Sequence, residues 1–244
     1  MADARTGLRP DLRVLAMSAT VDADRFAQVL ATDGRAAPVV RSDGRSHPVD
    51  VRHQAPGPRD RPDAHLARVV AGAIAAHAEG DVLVFLPGAA DIRRVAERLQ
   101  APGALPATVD VRPLFGALGQ REQDEALAPS PVGRRRVVLA TDIAESSLTV
   151  AGVRIVVDAG LVRVPCFDPA SGMTRLQTEP ASAASADQRA GRAGRLGPGT
   201  AYRAWDPSDG ARRPRFPVPE IAVADLAGFA LELAVWGRGP RRWR

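Results

Sequence analysis

Short continuous apolar runs alternate along most of the chain with stretches whose apolar residues recur every three or four positions. That pattern predicts strand-helix units feeding a largely parallel sheet. Between residues 63 and 78, Leu66, Val69, Val70, Ala73, Ile74 and His77 fall on one helical face, and Gly80 follows where a helix stop is expected. DVLVFLP (81–87) is closed by Pro-Gly and reads as a strand buried on both faces. A second helix is predicted over 89–99. The same reasoning predicts strands at 108–113, 136–140 and 154–158 and a short helix at 120–127. Upstream, LRVLAMS (12–18) reads as another buried strand, followed by a helix, DADRFAQVL (22–30). A stretch rich in Gly, Asp, Pro and Arg then runs to about residue 62 and reads as a hinge.

Beyond this α/β region, residues 161–180 alternate apolar and polar positions around Asp168-Pro169 and Ser171-Gly172, which predicts a hairpin. Residues 206–219 are dense in Pro and Arg and read as a linker. The closing stretch PEIAVADLAGFALELAVWG carries a helical stripe before the chain ends in RGPRRWR.

Composition narrows the function classes. A hydrophobic share of 45% with 25% charged residues is that of a chain able to bury a core. No apolar run approaches a membrane span, and the first residues lack the apolar segment of a signal peptide, so a cytoplasmic protein is expected. Cys166 stands alone, and the four His have no metal-ligand spacing, which argues against an internal disulfide and structural zinc. All 33 basic residues are Arg, and the abundance of Ala, Arg, Gly and Pro reflects a GC-rich gene more than selection for a basic surface. The net charge of +5 is compatible with a nucleic-acid partner but far from that of a basic tail.

Three segments carry candidate chemistry. In Gln188-Arg189-Ala190-Gly191-Arg192-Ala193-Gly194-Arg195, the guanidiniums of Arg192 and Arg195 lie three positions apart, and if the segment is helical they converge on one face, an arrangement suited to a polyphosphate. The glycines would admit close backbone approach. The alternative is an Arg-rich surface turn. ATDIAESSLTV (140–150) leaves a predicted buried strand with Thr, Asp, Glu and Ser clustered where open α/β sheets bind ligands, so these groups are candidates to hold a phosphate backbone. Helix capping by Thr141 or Asp142 is the alternative there. Ser18-Ala19-Thr20 follows the first predicted strand and means nothing alone.

Taken in order, MSAT (17–20), GRSHPV (44–49), VLVFLPG (82–88), PLFGAL (113–118), ATDIAESSLTV and QRAGRAGR resemble motifs III to VI of the DEAH-box helicases of superfamily 2. The connecting phrases VVDAGLVRVPCFDPASGMTRL (156–176) and ADLAGFALELAVWG (224–237) are most similar to the bacterial HrpB-type subfamily. The resemblance spans about residues 8 to 236.

The resemblance implies an α/β, RecA-like fold: a parallel sheet with helices on both faces, of P-loop NTPase type. It implies that residues 1–37 end a first RecA-like domain, 38–62 form a hinge, 63–205 are the second RecA-like domain, and 206–244 are a linker and the start of a winged-helix domain. ATP and Mg2+ would bind between the two RecA-like domains. Arg192 and Arg195 would then act as arginine fingers and Gln188 would contact phosphates or the attacking water. Ser18, Ala19 and Thr20 would couple the nucleotide state to domain movement. Thr141, Thr149 and the Gly88 backbone would hold phosphates of single-stranded RNA independently of sequence, Leu127 and Ser147 would lie beside ATP, and the 161–180 hairpin would separate strands unless it is a plain edge hairpin.

Departures qualify the resemblance. The P-loop pattern needs a lysine and the chain has none, nor is there a DEAH or DExH string to hold magnesium. Asp142 stands where many relatives have Asn, and Leu127 about where several place an aromatic residue against adenine. Met1 falls inside what the family treats as the first domain, so a fragment at both ends is expected. The reading is therefore the carboxy-proximal half of an ATP-dependent RNA helicase, inactive as a hydrolase on its own. The alternative is a non-catalytic nucleic-acid-binding module or an inactive remnant.

Overall fold

The computed structural model describes residues 9, 11–17, 23–31, 34–41, 47–146, 150–168 and 170–237. The chain divides into two units, Met1–Arg45 and Ser46–Arg244. The first contains helix α1 (Ala23–Val29), where the predicted helix lies, with Ala27 buried and its carbonyl accepting the Ala37 N–H at 2.9 Å. The buried strand expected over 12–18 is not formed: residues 12–17 belong to no strand, and Leu15 and Met17 are 79% and 83% exposed. An apolar run specifies a strand only where neighbouring strands take up its backbone groups, and among the described residues no strand pairs with this one. Ser18, Ala19 and Thr20 lie outside the described residues.

The second unit is built on six strands: β1 (Val49–His53), β2 (Asp81–Phe85), β3 (Val109–Leu114), β4 (Arg135–Ala140), β5 (Val153–Asp158) and, after the hairpin β6 (Leu161–Asp168) and β7 (Met173–Pro180), β8 (Gly199–Arg203). Their order is β1-β8-β5-β2-β4-β3, every pair is parallel, and β6 and β7 form a separate antiparallel pair. Helices α2 (Pro62–Ala76), α3 (Ala89–Leu99), α4 (Gln120–Leu127), α5 (Ile143–Ser146) and α6 (Ala183–Gly191) complete the layers, and α7 (Ala227–Val235) follows near the end.

Alternation along β2 sorts the core. Val82 and Val84 face the apolar stripe of α2 and α3, including Val70, Ile74, Ile92 and Val95, while Leu83 and Phe85 face Ala126, Ala144 and Ala190 on the other side. A strand apolar on both faces can exist only as such a filling, which is why β2, β4 and β5 read as continuous apolar runs. The opposite ends of the strands are sealed by arginines that periodicity does not mark. Arg136, fully buried in β4, donates from Nε to Asp81 Oδ2 at 2.8 Å and caps the carbonyls of Ala126 and Ala151, at 3.0 and 2.6 Å. Arg135 donates to the Ile74, His77 and Gly80 carbonyls, closing the end of α2.

Two expectations need correcting. The stretch 38–62 is not all hinge, because β1 lies within it and pairs with β8 from Val49–Gly199 to His53–Arg203. The stretch 206–219 is partly tied down: Arg213 donates to the Gly160 and Ala181 carbonyls at 2.6 and 2.9 Å and lies 4.1 Å from the Trp205 ring centre, and Ala183 N–H donates to Pro214 O. Neither β8 nor α6 was predicted as an element.

Candidate functional site

All six strands of the sheet point the same way, so their carboxyl ends share one rim, the side on which open α/β sheets gather ligand-binding loops. Gly88 stands just past β2 as the N-cap of α3, its backbone extended. A Cβ built on Gly88 would meet the Arg163 guanidinium at 3.0 Å, so the absence of a side chain lets β6 of the hairpin lie against this turn. Past β4, Thr141 is half-buried; its N–H donates to Leu114 O at 3.3 Å and its carbonyl accepts the Ala144 N–H. Among the described residues the side chains of Thr141 and Asp142 make no hydrogen bond, so capping does not occupy them. Ser147 and Thr149 lie outside the described residues. Leu127 is half-buried against the second core cluster.

The Gln188–Arg195 segment is helical and not a surface turn: α6 runs to Gly191 and a 3-10 turn covers Arg192–Gly194. Ser182 caps α6 by accepting the Ser185 N–H at 3.1 Å. One residue from the other segment meets this helix. The Glu145 carbonyl accepts Gln188 Nε2 at 3.1 Å and Arg192 Nε at 3.0 Å, with Arg192 Nη2 on the same oxygen. Its carboxylate accepts Ser185 Oγ at 2.6 Å and Arg189 Nε at 2.9 Å. Residues 185, 188, 189 and 192 follow helical spacing, so one face of α6 closes on a single residue of α5.

Arg192 and Arg195 do not share an environment. Arg192 is 4% exposed, and burial, then the neighbouring charge of Arg195, lowers its pKa to about 10. Arg195 is exposed and makes no hydrogen bond or ion pair among the described residues. The two glycines also differ. A Cβ on Gly191 would meet nothing within 4 Å, whereas one on Gly194 would lie 2.5 Å from the His47 carbonyl oxygen, so Gly194 serves close approach to the chain entering β1. Gly194 O accepts the His47 N–H at 2.9 Å.

Sequence reasoning assigned no role to the neighbouring arginine of this segment, Arg189. Arg189 is 1% exposed, and besides Glu145 its Nη1 donates to Asp158 Oδ1 at 3.0 Å and to Leu161 O at 3.2 Å, with the guanidinium 5.1 Å from the Phe85 ring centre. Burial disfavours its charge, but the Asp158 and Glu145 carboxylates outweigh that and hold its pKa above the ordinary value. Asp158 Oδ1 also accepts the Gly160 N–H at 2.8 Å. The available signals were the Asp that ends a buried run, and an Arg one turn before Arg192.

The assembled donors are an amide, a buried guanidinium and an exposed one beside the strand-exit segment, a set that can receive phosphate oxygens. Residues 64–197 match the family described as the helicase conserved C-terminal domain. The chain is 44% identical to the ATP-dependent RNA helicase HrpB of Escherichia coli over 97% of its length, covering 28% of that protein. It is 38% identical to the pre-mRNA-splicing factor ATP-dependent RNA helicase prp22 of Schizosaccharomyces pombe, over 94% of this chain and 20% of that one. A crystal structure of the Escherichia coli DEAH/RHA helicase HrpB superposes with a TM-score of 0.87 at 44% identity, covering 97% of this chain and 29% of that one. The chain thus spans less than a third of the length of these relatives, and within that span the fold is RecA-like. No helix among the described residues is long and apolar enough to cross a membrane.

Proposed function

Because this chain belongs to the helicase conserved C-terminal domain family, we propose that it is the carboxy-proximal half of the motor of an ATP-dependent RNA helicase. In this reading it presents arginine fingers to a nucleotide and backbone contacts to single-stranded RNA. The observation that carries the reading is the gathering of Gln188 and Arg192 on the Glu145 carbonyl, with Arg195 exposed three residues on.

ATP, when bound against a first RecA-like domain, supplies a γ-phosphoryl group on which negative charge builds during transfer to water. Arg195 is the cation free to meet that charge. Arg192, held by the Glu145 carbonyl, stands as the second finger and keeps the turn in place. Gln188 offers an amide for a phosphate oxygen or a water. These donors suit phosphate and not Mg2+, which draws no ligand from them. Leu127 and Ser147 are assigned to the nucleotide's surroundings, and Ser18, Ala19 and Thr20 to coupling nucleotide state to domain movement.

Thr141 and Thr149 with the Gly88 backbone are assigned to RNA phosphates, and the β6–β7 hairpin to strand separation. No base-edge reader is among them, so binding is independent of sequence. Fluorescence anisotropy of single-stranded RNA over a salt series tests this: log K falls with log salt at a slope of about −0.7 per phosphate contacted. Absence of binding at low salt contradicts it.

A further inference from the structure

The guanidinium of Arg189 stands where three parts of the domain meet. Nε holds Glu145 of α5, next to the loop assigned to RNA. Nη1 holds Asp158, the last residue of β5, and the carbonyl of Leu161, the first residue of the β6–β7 hairpin. The side chain belongs to α6, which carries Gln188 and leads directly into Arg192. The contacts on both sides are short and interior: Arg189 and Asp158 are 2% and 3% exposed at the side chain and Glu145 15%. Asp158 in turn takes the Gly160 N–H, and Arg213 the Gly160 carbonyl, so the hairpin's entry is fixed from two directions. The planar fork serves these three acceptors from two separated nitrogens, Nε and Nη1, whereas an ammonium would have to reach all three from a single nitrogen.

We infer that Arg189 is a positioning residue that ties the RNA-contacting loop and the base of the hairpin to the helix that leads into the fingers. A phosphate seated on the loop then tightens α6 and the hairpin entry together. The inference rests on the proposed RNA reading, and it gives the interior arginine of the segment a role distinct from Arg192 and Arg195, touching neither RNA nor nucleotide itself.

The test is amide hydrogen exchange of the 244-residue chain with and without a single-stranded oligouridine of about twelve nucleotides at low salt. Exchange is followed at residues 141–146, in α6, at 160–163 and, as reference, in α2. RNA is expected to slow the first three about threefold or more relative to α2. Arg189→Lys keeps the charge opposite Asp158 and loses the fork; it is expected to retain RNA protection at 141–146 and to lose it in α6 and at 160–163. Glu145→Gln, which leaves the Asp158 pair intact, is expected to do the same in α6 and covers the case in which Arg189→Lys does not fold. A merely structural Arg189 would speed RNA-free exchange of α6 in the variant and leave the RNA-induced ratio as in the parent, which overturns the inference. Parent protection confined to 141–146 also overturns it while the RNA reading stands. Protection nowhere removes the RNA reading and the inference with it.

Discussion

Arg192 and Arg195 lie three residues apart and end in opposite surroundings: the first is 4% exposed with its guanidinium on the Glu145 carbonyl, the second stands in solvent. Two arginines of one sequence motif are therefore not interchangeable. Freeing Arg192 costs hydrogen bonds to a backbone carbonyl, while Arg195 gives up only water. Of the two guanidiniums, that of Arg195 can meet an incoming group at the lower cost.

The Arg136–Asp81 pair supports β2 and β4 from the end opposite the candidate site. Asp81→Ala leaves a fully buried guanidinium without its carboxylate, an arrangement that costs about 3–5 kcal/mol. Equilibrium urea unfolding checks this, and replacing an exposed pair such as Arg121–Glu125 is the control, with a change below about 0.5 kcal/mol.

Acid sensitivity follows from Asp63, whose carboxylate holds Arg98 Nε at 2.6 Å and joins the first turn of α2 to the last turn of α3. The Arg98 hydrogen bond lowers the Asp63 pKa against the opposing effect of burial. A carboxylate with a depressed folded pKa adds stability that is fully present above its unfolded value of about 3.9 and is lost as pH falls through the folded value. Asp63→Asn is expected to lower stability at pH 7 and to flatten its fall below about pH 4. Urea midpoints at the two pH values measure both.

Gly191 and Gly194 make opposite predictions within one motif. Gly191→Ala adds a methyl with nothing within 4 Å at the end of α6 and is expected to be neutral or to stabilise by up to about 1 kcal/mol. Gly194→Ala drives a Cβ to 2.5 Å from His47 O and 2.7 Å from Val49 Cγ2 and is expected to cost about 1–3 kcal/mol. Thermal unfolding of the two variants decides it; equal effects contradict the packing described.

How legible the fold was depended on how completely a segment was enclosed. Helices α3 and α4 and the hairpin β6–β7 lie where pattern and turn chemistry placed them, because each carries its own signal in spacing or in a Gly-containing turn. β1 escaped because it is an edge strand with mixed exposure, VDVRH, and shows no apolar run. β8 is five residues long, with Ala201 and Tyr202 its buried apolar residues. At the candidate site, spacing and resemblance pointed to Gln188, Arg192 and Arg195, but a buried arginine reads in sequence like a surface one. Arg189 and Arg136 become legible only once tertiary structure brings carboxylates to them.

The most direct test of the account is reconstitution. The chain has no lysine and hence no P-loop, so it is mixed with a separately produced chain carrying a P-loop and DEAH segment, and ATP hydrolysis is followed with and without single-stranded RNA. The account predicts that mixing produces RNA-stimulated hydrolysis and that Arg195→Ala lowers it about 10³-fold or more, within the range attributed to an arginine finger. Equal rates with Arg195 and with Ala at that position would contradict it.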